Sequence, residues 1–227
     1  MSRSREIMEV AENALQLQRF LLRRAWGVLY AAWAVSMFIT IFVAPIVSIL
    51  LAHLLRLSAE FTVAARIALS VASSASAVTV TLRAFKRVRD TAEIRGVIRE
   101  GTWPKVLTNS VFVPFWVTIV GILAFSDFLL APKQVLLLFL IIYAVIAAYL
   151  FYGLRLSFPQ NLPVEGIVAL SSFGISTAGS IITITILSVG RPIIYAVLWG
   201  TTIVVLLLCS RHARTRKPPN VVKEFAL

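Results

Sequence analysis

A chain of 227 residues in which 59% are hydrophobic and only 14% charged, with a mean hydropathy of +0.89, lies far outside the composition of a soluble domain. The formal net charge of +12 would point to nucleic acid in a soluble protein, but here the basic residues cluster at the ends of apolar runs, where positive charge records membrane orientation. Composition therefore sets aside nucleic-acid binding and leaves a multi-pass helical protein of the cell membrane.

Residues 1–25 have helical periodicity. Ile7, Val10, Ala14, Leu17 and Leu21 fall on one face, and Glu9, Glu12, Gln16, Arg19 and Arg23 on the other. Ser4 is the expected N-cap, with acidic residues early and arginines late, as the helix dipole favours. The pattern predicts an amphipathic helix lying in the membrane interface and leading into the first span, with a docking surface for a soluble partner as the alternative. That span, about Trp26 to Leu51, is too long for the apolar core of a signal peptide and is read as uncleaved. Trp26, Tyr30 and Trp33 in its first turns are expected to form an aromatic belt at the inner interface, and Pro45 is a site at which the helix can bend.

Span two, about Phe61 to Leu82, is built mostly from small residues. Ser70, Ser74, Ala77 and Thr81 form one stripe, and Ala68, Ala72, Ser76 and Val80 a second. Lipid gives no hydrophobic drive between helices, so small residues and hydroxyls are the usual means by which spans adhere. The segment 83–105 follows, with seven of the basic residues, and its spacing predicts a helical extension carrying Phe85 and Val88 on one side. Spans three and four are expected at about Val106 to Phe125 and Gln134 to Tyr152, and a stiff turn holding Pro159 and Pro163 comes next. Span five, about Gly166 to Val189, repeats the small character of span two. Ser172, Ser176, Ser180 and Thr183 lie on one face, with Gly174 and Ala178 as a small pair. Span six, about Ile193 to Cys209, ends in a basic tail over residues 210–227.

With the N-terminus inside, eighteen Lys and Arg fall on inner segments and four, Arg56, Arg66, Lys133 and Arg191, on outer turns. Both termini are therefore expected in the cytoplasm. Spans two and five are the middle members of two three-span halves, which is the pattern of a three-plus-three inverted repeat; close packing accounts for the same composition without a repeat.

No Asp, Glu, Lys, Arg or His is expected at mid-span, which argues against a proton-driven pump. His53 and His212 lie outside the apolar cores, Cys209 is the only cysteine, and neither an HExxH nor a CxxC spacing occurs. Neither an enzyme nor a bound metal or cofactor is expected. The leading expectation is a permease-like transport subunit energised, if at all, by a separate cytoplasmic partner such as an ATPase. The alternative is a membrane scaffold or assembly factor, and a weaker one is a passive channel or lipid-binding protein. The candidate path or packing seam is Ser70, Ser74, Ser172, Ser176 and Ser180. Arg87, Arg89, Arg95 and Arg99 are candidates for docking or lipid contact. Expected partners are membrane lipids and other membrane helices, in a second copy or another chain.

Overall fold

The computed structural model describes residues 2–56, 58–94, 112–119, 122, 132–186 and 191–216. Every regular element among them is helical. Helix α1 (Ser2–Phe38) runs unbroken from the leader into the first half of span one. The stretch from Gln16 to Arg24 consists of Gln, Leu, Arg and a single Phe, mostly strong helix formers with nothing to interrupt them.

The interruption comes at mid-span. Residues Ile39–Val43 form a π turn in which the Ala44 N–H donates to the Ile39 carbonyl, and α2 (Ala44–Leu55) follows with Pro45 in its first turn. Proline lacks an N–H, and its ring crowds the carbonyl four residues back, here that of Ile41. A π turn is a usual way to accommodate such a proline, and here it stands just ahead of Pro45, where the sequence allowed a bend. Arg56 then closes α2 with a left-handed backbone, φ 52°, its N–H bonded to the Ala52 carbonyl.

Helix α3 (Ala59–Ile94) starts on Ser58, whose hydroxyl accepts the Phe61 N–H at 3.4 Å as an N-cap. It runs through span two into the basic segment without a break. After α4 (residues 112–119) come α5 (Pro132–Ser157), α6 (Val164–Ile186) and α7 (Arg191–Thr215). Four helical segments are long and apolar enough to cross a membrane: Leu15–Leu55, Glu60–Asp90, Val164–Thr183 and Ile193–Thr215; Ile141–Ser157 is a shorter apolar helix. Expected span three is described only over 112–119 and at 122. Ile46, Ile49, Leu54, Ile182, Val197 and Leu208 are all exposed, the outward-facing apolar surface that a lipid solvent requires.

Helix α1 lies at the centre, packed on α3 on one side and α7 on the other; α7 packs on α6, and α6 on α5. Where α1 packs on α7, Gly27 lets the two helices come close. A Cβ there would lie 3.0 Å from Ala213 Cβ and 3.2 Å from the Ser210 carbonyl. Aromatic side chains fill the core. Trp26, Trp116 and Trp199 are fully buried; Phe85 meets Trp26 edge-on at 5.7 Å, and Trp33 stacks on Trp116 at 3.9 Å. The belt expected of Trp26 and Tyr30 is thus a core, because their face of α1 is the one covered by α3 and α7. Ring pairs of this kind contribute about 0.5–1.5 kcal/mol each beyond contact area, which matters where helices gain little from leaving lipid.

Candidate functional site

Three groups of polar side chains sit inside the bundle. The first joins α6 to α7. Ser176 donates to the Leu198 carbonyl at 2.9 Å and also meets Thr202, Ser172 donates to Thr202 at 3.2 Å, and the Trp199 indole N–H donates to Ser180 at 3.0 Å. Ser176, Ser180 and Thr202 are buried. Tyr143 and Phe173 enclose the same spot, their rings 4.7 and 5.6 Å from Trp199. Ser172, Ser176 and Ser180 therefore form one seam whose partners lie on α7. Gly174 and Ala178 face outward, with no atom within 4 Å of a Cβ built on Gly174.

The second group is at mid-span between α1 and α3. The Ser73 hydroxyl lies 3.4 Å from that of Ser36 and 3.3 Å from that of Thr40, within the π turn, and also donates to the Ser70 carbonyl at 3.0 Å. Phe42, in the same turn, reaches toward Gly200 of α7, 3.9 Å from where a Cβ would stand. Ser70 bonds to the Arg66 carbonyl of its own helix, and Ser74 is half-buried. The hydroxyl that crosses from α3 is thus Ser73, one position from the expected stripe, whose lower members Ala77 and Thr81 are buried as expected. The two serine faces are not brought together, because α1 and α7 stand between α3 and α6.

The third group, at the basic end, escaped sequence reasoning. Glu165 lies in the first turn of α6, its side chain 2% exposed. Arg23 of α1 holds it with both arms of the guanidinium: Nε donates to Oε1, and Nη2 to Oε2 at 3.1 Å. Such fork-to-fork pairs are the stronger class of charged hydrogen bond, and the helix N-terminus adds a favourable field for the carboxylate. Next to it, Arg19 donates to the Gln160 side chain, while Gly166 sits against Leu154 and the Tyr30 hydroxyl with no room for a Cβ. An acid placed two residues after Pro163 at the start of a span was the available signal, since it needs a cation at the same membrane depth.

Of the arginines proposed for docking, Arg87 is exposed on α3, and Arg89 is half-buried with Nη2 3.5 Å from Asp90. Phe85 and Val88 of the same stretch are buried against the bundle. Arg95 and Arg99 lie outside the described residues. No cluster of three or more His, Cys, Asp or Glu able to hold a metal occurs among the described residues. No protein-family model, curated protein or solved structure matches the chain.

Proposed function

We propose that this chain is a permease-like transport subunit with six spans, both termini in the cytoplasm and two inverted three-span halves. The observation that carries the reading is a matched pair of ring contacts. Trp33 of α1 stacks on Trp116 of α4, joining the first and third spans of one half, and Tyr143 of α5 meets Trp199 of α7, joining the first and third of the other. Inverted halves are a common transporter design, with the site near the midplane where the halves meet and where helices are broken. The π turn Ile39–Val43 is such a break, and Phe42 within it faces Gly200 of the other half. Ser36, Thr40 and Ser73 supply hydroxyls at that depth.

A cytoplasmic energy source fits the basic end of α3, where Arg83 and Lys86 are exposed beside Arg87. The test is purification of the full chain from its native membrane in mild detergent, identification of what accompanies it, and solute flux in proteoliposomes made from the same preparation. A stoichiometric ATPase with flux that falls in Ser73→Ala supports the reading. Membrane proteins alone, with no flux, would transfer support to a scaffold. The scaffold reading has an observation of its own, since Ser172, Ser176 and Ser180 are occupied in holding α6 to α7.

A further inference from the structure

Between α1 and the turn linking α5 to α6 lies a cavity of about 380 Å³, lined among others by Arg19, Arg23, Arg216, Gln160, Phe20 and Phe158. Its size falls in the range of about 300–1,000 Å³ usual for small-ligand sites. Three arginines line it beside a single carboxylate, Glu165, which Arg23 holds directly and which the charge of Arg216 reaches at longer range. Arg216 acts on Glu165 through its charge and makes no side-chain hydrogen bond or close ion pair among the described residues. Arg23 uses two of its five N–H donors on Glu165, and Arg19 donates to Gln160. The cavity therefore holds surplus positive charge and unused N–H donors, the chemistry that an oxyanion takes up. Phe20 and Phe158 give it an apolar side as well.

Its depth in the membrane follows from the helices around it. The apolar segment of α1 begins at Leu15, that of α6 begins at Val164 and that of α7 ends at Thr215. Residues 16–23, 158–164 and 216 form the cavity, so it sits where three apolar segments reach their limit together. That is the level of lipid headgroups, and basic pockets between helices at that level suit phosphate-bearing headgroups.

We propose that this cavity binds the phosphate of an anionic phospholipid, with Arg19 and Arg216 as its principal ligands and Phe20 and Phe158 against the glycerol and upper acyl chain. The inference does not depend on the transport reading. A free phosphate would offer the same oxygens, but it would leave the apolar side of the cavity empty.

The full chain, delipidated in nonionic detergent, is titrated with phosphatidylglycerol, phosphatidylcholine and inorganic phosphate, with bound lipid counted by native mass spectrometry. Phosphatidylglycerol is expected to bind more tightly than phosphatidylcholine. Arg19→Gln/Arg216→Gln should weaken it about thirtyfold, equivalent to about 2 kcal/mol at about 1.4 kcal/mol per tenfold. Arg83→Gln/Arg211→Gln removes the same charge from exposed sites elsewhere and should leave binding within about threefold of the parent. Arg216→Gln alone, which breaks no bond within the fold, should show part of the loss should the double variant fail to fold. Equal loss in both double variants, or none in either cavity variant, overturns the site. Inorganic phosphate binding as tightly as the lipid overturns the lipid as its occupant.

Discussion

Removing Arg23 should destabilise the protein more than removing Glu165, although both changes delete the same ion pair. The side chain of Glu165 is 2% exposed and that of Arg23 is 22% exposed. With Arg23→Ala the carboxylate stays buried, with the α6 N-terminus and the more distant charge of Arg216 left to offset it. Stranding one member of a buried pair costs about 3–5 kcal/mol. With Glu165→Ala the guanidinium still lines an open cavity and can extend its head into water, as long basic side chains do. The cost should then fall to about 1–2 kcal/mol, near that of an ordinary lost charged hydrogen bond. The double variant should cost less than the sum of the single ones by about 2 kcal/mol, since neither charge is then stranded. Equilibrium unfolding of the four proteins in mixed micelles, followed by tryptophan fluorescence, measures all three quantities. Equal single costs, or strict additivity, would refute the argument from unequal burial.

At the α1–α7 crossing, Gly27→Ala should destabilise by about 1–3 kcal/mol, because the added methyl meets the Ala213 Cβ and a main-chain oxygen that cannot turn away. Gly179→Ala meets the flexible side chain of Leu198, closest at its terminal methyl groups, and should cost under about 1 kcal/mol; comparison of the two unfolding midpoints checks this contrast. Ser176→Ala removes bonds to Leu198 and Thr202 and should cost about 0.6–1.7 kcal/mol, with no such loss for Ser70→Ala, whose hydroxyl serves its own helix. Gly174→Leu should leave the unfolding midpoint of the chain unchanged, since its position is open, and light scattering of the same variant reports whether another helix packs there.

Periodicity made the helices legible, and the small stripe of span two includes Ala77 and Thr81, which are buried, because small stripes at helical spacing have few other uses in lipid. It could not say which helix each stripe would meet. Ser70 and Ser172 look alike in sequence, but Ser172 reaches across to Thr202 and Ser70 turns back on the Arg66 carbonyl. That choice depends on helix neighbours, which a periodic pattern does not encode. Trp26 and Tyr30 were misread for a related reason, since depth near the interface is visible in sequence and the direction a ring faces is not. The Arg23–Glu165 pair joins residues 142 positions apart, and no local rule connects them. The cavity beside it is assembled from three separate stretches and had no signature within any one of them.

The central place of α1 sets the order in which the molecule can be completed. Helix α1 emerges first during synthesis, but the surfaces that enclose it on one side belong to α6 and α7, which emerge last. Until they arrive, Gly27 and the Tyr30 ring lack the α6 and α7 neighbours that enclose them, and Trp26 has Phe85 of α3 beside it, an arrangement they tolerate because all but a few of their atoms are apolar. Arg23 has no such refuge except the water at the membrane edge, and that is where its position on α1 leaves it waiting. Contacts of long sequence separation form slowly. Assembly should therefore end with the arrival of Glu165 and α7 at a helix already inserted, so that the final helix acts as a clasp and a chain halted before it would hold α1 in place but unfastened.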